Sequence, residues 1–495
     1  VNVAALLYLV APCLLYLTSF VRPLLGWPMA AGMAVLTIHA AMNWRDVPRR
    51  SRRLQVGSEM VSLVSTISIL ALMGFATGHY CWDWIKHWAL LNSLESHPWP
   101  VELNLQGVPG YLRFYVGAYL VPAGLAHATG WSVVTCTALW YGLGLMLAFN
   151  LLSRDAKGDG YRRQLLWVIP LLLCMAGADA WLQVLLRAES RPIALTGFHS
   201  EWWASALLDH PLQYSSLLCL LLWVPHQAIP AFIAVGLLRR MQTAEALGPT
   251  ALAISTLALW SPYALIGTVL LFVPHMLSQT ALRLAFRRPE WTVGAASVVA
   301  CAFAALMAWN LSHEMPAGGL CLDCAPARLA RPGPYLLLLA VELAIPLLVL
   351  RRRLFEDAAS VAAIATLGVL PWIGGAVPDA VMRISMPALI YLFVRSAHHV
   401  AQRPPGRMAA SAALVLALGG PTVWGEASFH VEAGARHAAL PAPDPLRAPS
   451  YTVWAQRTTY TAHEFFEICG WQWYPQYFAR TRPPSWPSTA SNPTH

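Results

Sequence analysis

An acid and a base stand three residues apart at Asp83 and Lys86, just past a membrane-length apolar run and among Trp82, Trp84, Trp88 and Trp99. A carboxylate at a membrane edge is costly unless it is paired or put to use. The plainer use is structural, a helix-end acid paired with Lys86 or His79. Other polar residues nevertheless recur at comparable places. His199, Glu201 and Asp209 fall in the segment 182–215, with Asp179 at the edge of the run before it. WVPHQAIP sets His226 and Gln227 between Pro225 and Pro230, and PDAVMRIS brings Asp379 and Arg383 ahead of another apolar run. Carboxylates, imidazoles and a guanidinium can move protons and hold polar groups. Together they predict a polar, aromatic-lined outer cavity, and the stretch His79 to Gly130 is read as the start of an active site facing outward.

The elements that must position these residues are transmembrane helices. The chain has 495 residues, 57% of them hydrophobic and only 12% charged, which excludes an ordinary soluble protein. Apolar runs near 3–20, 27–42, 58–77, 131–151, 164–181, 216–238, 249–261, 264–282, 291–309, 335–350, 357–373, 385–396 and 408–422 predict an all-α, polytopic bundle of about 13 spans. The net charge of +9 comes from short arginine clusters between spans, so it reports topology and not nucleic-acid binding. Arg45, Arg49, Arg50, Arg52 and Arg53 place the loop after the second span in the cytoplasm, and with it the N-terminus. The C-terminus then lies outside. Counting 111–128 as a span would put Arg154, Lys157, Arg162 and Arg163 outside. That stretch, with Arg113 and Pro122, is therefore expected to be a helix lying along the outer surface. The pair of runs around WSPY (Trp260 to Tyr263) is expected to form a helical hairpin, and no internal repeat is evident.

Three regions follow: 1–57, with two spans and a basic loop; 58–423, the transmembrane core; and 424–495, an aromatic-rich outer tail whose last dozen residues are expected to be disordered. The first apolar run lacks a basic stretch ahead of it, so no cleavable signal is expected. Cys13, Cys136, Cys174, Cys219 and Cys301 lie in predicted spans as small packers. Cys321 and Cys324, in CLDC, lack the further ligands of a zinc site and are expected to form a local disulfide.

A span, an acid at its outer end and two juxtamembrane helices in a large first exterior loop resemble the GT-C class of membrane glycosyltransferases. That class includes protein O-mannosyltransferases and the bacterial lipid A aminoarabinose transferases. More narrowly, DWIKHWALLNSLESHPWPV, HSEWWASALLDHPLQYSSLLCLLLWVPHQAIPAF, WSPYALIG and DAVMRISMPALIYL are similar to a family of bacterial membrane proteins of this type, mostly without assigned activity. The similarity runs from about Asp83 to Leu392. In the class the acid follows the first span; here it follows the third, so two extra N-terminal spans are implied.

The resemblance implies a bacterial inner-membrane enzyme with a periplasmic site. It would move a sugar from a polyprenyl-phosphate donor to a glycan, lipid or protein acceptor, with inversion. Asp83 would be the general base. Arg383 would grip the donor phosphate, with Lys86 and His226 beside it. Asp179, His199, Glu201, Gln227, Trp82 and Trp84 would hold substrate, and no metal ligand is assigned. The 22 tryptophans suit sugar stacking and interfacial anchoring equally. Two alternatives stand beside this reading. One is a carrier or flippase of lipid-linked sugars, with Glu342 of LLAVELAIP and His226 on a proton path. The other is a catalytically silent scaffold.

Overall fold

The computed structural model describes residues 1–43, 52–78, 84–105, 108–112, 114–154, 164–188, 201, 203–204, 207–208, 212–241, 243–278, 291–312, 321–374, 379–437 and 466–468. Helices dominate. Five are long and apolar enough to cross a membrane: α1 (Asn2–Ser19), α2 (Pro23–Asn43), α6 (Val133–Leu152), α18 (Asp379–Ala401) and α19 (Pro405–His437). A sixth span results if α15 (Gly333–Glu342) and α16 (Ala344–Leu350), bent by 61° at their junction, are counted as one. Shorter apolar helices accompany them: part of α3 (Arg52–Leu72), α11 (Leu247–Trp260), α12 (Pro262–Ser278), part of α13 (Trp291–Ser312) and α17 (Ala358–Ile373).

The expected count of about 13 spans is therefore not met among the described residues, because apolar runs that look continuous are broken. The run 164–181 becomes a 3-10 turn, the short α7 (Val168–Leu173), an irregular stretch holding Gly177, and α8 (Asp179–Ala188). The run 216–238 divides at Val224 into α9 (Leu217–Trp223) and α10 (Pro225–Arg239). Ser261, in extended conformation, separates α11 from α12 inside the WSPY motif. In contrast α19 continues without a break from the run 408–422 to His437.

An all-α fold needs a second correction. β1 (Glu102–Leu105) pairs antiparallel with β2 (Val108–Leu112), and β3 (Phe466–Ile468) adds to the other edge of β2. Pro98, Pro100 and Pro109 deny this stretch a helix. The helix expected over 111–128 is accordingly split: Tyr111 and Leu112 end β2, and α5 (Gly117–Thr129) starts after Val116. α5 stops at Gly130, whose left-handed φ of 72° is the conformation glycine adopts freely. Ala118, Tyr119, Leu120 and Ala123 are fully buried, so α5 packs within the bundle against α1, α4 (Trp84–Ser96) and α6.

Close helix contact holds the remaining frame. α18 runs through the core, with Arg383 near its start and Arg395 near its end. Asp357 caps α17 through the Ser360 amide (2.9 Å), accepts from the Tyr391 hydroxyl (2.9 Å) and pairs with Arg395, locking α17 to α18. Cys321 and Cys324 form the expected disulfide, and the Cys321 amide donates to the Ile373 carbonyl (2.8 Å). At Gly267 of α12 the α18 backbone comes so near that a Cβ would lie 2.2 Å from the Ile384 carbonyl oxygen. Gly267→Leu is thus expected to cost at least about 1–3 kcal/mol, read as a lower Tm in detergent. Gly294→Ala in α13, where a Cβ meets nothing within 4 Å, is expected to leave the Tm unchanged or raise it.

Candidate functional site

Pro225 has no amide hydrogen, so the Leu221 carbonyl loses its helical partner where α9 gives way to α10. Val224 adopts φ −128° and ψ 49°, and the Gln227 and Ala228 amides both turn to the Val224 carbonyl (3.0 and 2.9 Å). The preceding carbonyls are then available to a neighbour. α4 takes them: Trp84 Nε1 donates to the Leu222 carbonyl (3.1 Å), and His87 Nε2 faces the Trp223 carbonyl with geometry too loose for a hydrogen bond. The helix that starts one residue after Asp83 is anchored on the break in the neighbouring helix.

A polar network grows from the same point. The Ala264 amide donates to Ser261 Oγ (3.2 Å), so the Ser261 hydroxyl donates to Gln227 Oε1 (2.9 Å) and fixes the amide's orientation. Gln227 Nε2 then donates to Tyr115 Oη (3.2 Å) and to His226 Nε2 (2.9 Å). His226 must therefore carry its proton on Nδ1, a buried donor with no partner among the described residues. Arg383 donates to the same Tyr115 hydroxyl (3.0 Å) and lies over the Tyr263 ring, 5.8 Å from its centroid. The His87 and His226 rings are 4.5 Å apart, and the Tyr119 hydroxyl bonds His87 Nδ1 (2.7 Å). Burial and then the charge of Lys86 push His87 well below the usual histidine range, with Arg383 adding to it, so its imidazole is neutral. A neutral imidazole at His87, with His226, Arg383 and Lys86 beside it, is suited to an anion.

A second cluster is acidic. Glu201 accepts from the Ser216 amide (2.9 Å) and Gln213 Nε2 (2.9 Å). Trp203 Nε1 donates to Asp179 Oδ1 (2.8 Å), and Asp179 meets Glu342 carboxyl to carboxyl. Glu426 of α19 accepts from Trp223 Nε1 and lies 3.5 Å from His430 Nε2. Asp179 and Glu201 lie outside the membrane-length helices. Burial pushes Glu201 above the usual carboxylate range, with the Glu426 charge adding to it. Trp223 joins the clusters, its carbonyl facing His87 and its indole bound to Glu426.

The four segments singled out in the sequence thus meet in space. His226, Gln227 and Arg383 belong to one network, with half-buried Lys86 bearing on both histidines. Asp179 and Glu201 belong to the acidic cluster instead. Trp84 is fully buried, its indole used in packing against Phe75, Trp88 and Tyr141. Asp83, Trp82, His199, Asp209 and the Asp379 side chain lie outside the described residues, as does most of the tail beyond residue 437. Tyr115, Tyr119, His87, Ser261, Glu426 and His430 were not anticipated. Of these, Ser261 was within reach as the polar residue of WSPY, and His87 as the second polar residue of WIKHW.

No family model, curated protein or solved structure matches the chain. What is established is a helical protein with several membrane-length apolar helices and a buried polar site at the break between two of the shorter ones. Gln227→Leu, which strips partners from Ser261, Tyr115 and His226 at once, is expected to lower stability by about 1–3 kcal/mol. Gln227→Glu is expected to be milder, because it keeps the acceptor for Ser261; thermal unfolding in detergent compares them.

Proposed function

We propose that the chain is a membrane glycosyltransferase that moves a sugar from a polyprenyl-phosphate donor to a hydroxyl of a glycan, lipid or protein acceptor on the periplasmic side. The observation that carries the reading is the chain of contacts Arg383–Tyr115–Gln227–His226, packed against His87 on a helix that begins directly after Asp83. A departing polyprenyl phosphate gains negative charge and needs cations and hydrogen-bond donors. Arg383 supplies the guanidinium, Lys86 a second positive charge and His226 Nδ1 a donor without a partner among the described residues. Asp83, within one turn of Lys86 and His87 in sequence, is the base that takes the acceptor's proton as its oxygen attacks the anomeric carbon. The Cys321–Cys324 disulfide favours an oxidising compartment for its loop, which a periplasmic placement of that loop would supply.

A proton-coupled carrier of lipid-linked sugars is the second reading, favoured by buried Glu342 at the bend of a membrane-length pair. The two differ in what they need. Purified protein would be given polyprenyl-phosphate sugars and cell-envelope acceptors, and transfer followed in lipid extracts. Asp83→Asn is expected to lose transfer by about 10²–10⁴-fold while still binding polyprenyl phosphate. Arg383→Ala is expected to lose that binding too. Undiminished transfer by Asp83→Asn would remove it from the base role. No transfer by the parent, together with sugar-lipid movement across vesicles that depends on Glu342, would favour the carrier.

A further inference from the structure

Glu342 is the last residue of α15, and the chain bends by 61° directly after it, at Leu343. Three hydrogen bonds fasten the irregular stretch before α8 to this bend and to α19. The Ala178 amide donates to the Val341 carbonyl (3.1 Å), the Thr422 hydroxyl to the Gly177 carbonyl (3.3 Å), and the Ala180 amide to Thr422 Oγ1 (3.2 Å). Asp179 and Glu342 are brought together inside this joint, 0% and 1% exposed. Asp179 Oδ1 is satisfied by Trp203, but Asp179 Oδ2 and Glu342 Oε1 have no donor among the described residues. Both carboxyls crowd Gly177: a Cβ there would lie 2.5 Å from Glu342 Oε2 and 2.8 Å from Asp179 Oδ2.

Two carboxyls in contact and shut off from water cannot both be ionised. Trp203 and the Asp179 amide offset part of this cost, but the titratable groups described around the pair do not. Glu201 bears on both with the same sign, Glu426 of α19 stands beyond it, and His430 is engaged with Glu426. Tyr214 faces Glu342 but gives its hydroxyl to the Leu367 carbonyl, and Cys219 sits against Glu201. Among the described residues no three His, Cys, Asp or Glu side chains are grouped to hold a metal ion. A pair of facing carboxyls is the arrangement that one hydrogen ion fits.

We propose that Asp179 and Glu342 form a proton-binding site, in which one proton shared between the two carboxyls closes the α15–α16 bend against α8. Removing it leaves two buried negative charges on either side of the joint, and their repulsion opens the bend. The site belongs to the helix frame and does not depend on which substrate the Arg383 network takes. Burial, with the Glu201 charge added, pushes Asp179 up to about 7, while a hydrogen bond from Glu342 favours its ionised form; near neutral pH Asp179 therefore gives up the first proton and the second stays shared between the two carboxyls. A carboxyl whose folded pKa exceeds its unfolded one binds more protons folded than unfolded between the two values. Stability therefore holds below the ordinary carboxylate range, about 4, and falls as pH rises from there to about 7.

Infrared difference spectra of the full-length protein in lipid nanodiscs test this through the C=O stretch of a protonated carboxyl. The parent is expected to show that band under mildly acidic conditions, to keep it at reduced intensity through neutrality, and to lose it only on further titration to alkaline pH. Its Tm is expected to fall over the same range. Glu342→Gln and Asp179→Asn should each abolish the titrating band, since the amide donates to the remaining carboxylate and no proton is needed. The parent's titration needs no substitution, so a variant that fails to fold does not weaken the test. No protonated-carboxyl band in the parent, a titrating band that survives in both folded variants, or a titration that shifts with sodium or potassium would overturn the proposal. The last outcome would make the ligand a metal cation.

Discussion

Pro225 cannot donate a backbone hydrogen bond, and much of what is distinctive in this chain follows from how the missing bond is made good. Inside an apolar protein an unpaired carbonyl costs several kcal/mol, so a helix break persists only where other groups reach it. Here α4 lies against the freed carbonyls of Leu222 and Trp223 through Trp84 and His87. The break thereby places His87 against His226 and turns Gln227 toward Ser261 and Tyr115. Arg383 enters from α18 through the same tyrosine. The polar site and the repair of the helix share the same residues.

Trp223 separates two electrical environments. On its backbone side lie two imidazoles, Lys86 and Arg383, where an anion is favoured; on its indole side lie carboxyls, where positive charge is favoured. Opposite charges this near attract, and direct pairing would cancel both. The indole stacks on Phe429 with ring centroids 6.1 Å apart and donates to Glu426, while the Trp223 carbonyl faces His87. A substrate carrying both a phosphate and polar hydroxyls would find complementary groups on the two sides of one side chain.

Composition made the helical, membrane-type class legible, and the runs giving α1, α2 and α6 were placed to within a few residues because each is uninterrupted, while 385–396 falls short of α18 at both ends, where Asp379, Arg383, His398 and His399 lower the hydropathy. The breaks were less legible. Hydropathy is blind to a hydrogen-bond ladder: 164–181 and 216–238 read as continuous although Gly177 and Pro225 interrupt them. The hairpin at 102–112 was missed because its apolar and aromatic residues mimic a helix end, while Pro98, Pro100 and Pro109 carried the contrary signal. Within the site, Arg383, His226 and Gln227 stood out as polar residues in apolar surroundings. Tyr115 and Tyr119 did not, because a tyrosine near a membrane boundary has an ordinary anchoring use. Only their hydrogen bonds to Gln227, Arg383 and His87 distinguish them. Asp179 and Glu201 are expected from the sequence to hold substrate in the same outer cavity as Arg383; sequence order could not show that α19 brings Glu426 beside Glu201 in a separate cluster.

Each break in the described helices is attended by polar chemistry, and the reason is general. Val224–Pro225 carries the histidine pair, Ser261 the Gln227 anchor, and Leu343 the Asp179–Glu342 contact. A continuous apolar helix uses all its backbone groups internally and offers a ligand nothing but hydrocarbon. Interrupting it exposes carbonyls and amides that demand polar partners, and those partners can in turn hold protons, phosphates or hydroxyls. The same interruption weakens the helix as a lever arm, so the bend at Leu343 can respond to the charge beside it while α18, unbroken from Asp379 to Ala401, holds Arg383 fixed. Contacts through α19, Glu426 and Trp223 connect the Asp179–Glu342 joint to His87, which packs against the Arg383 network, so the proposed movement and the proposed chemistry fall on different helices that share one line of contacts.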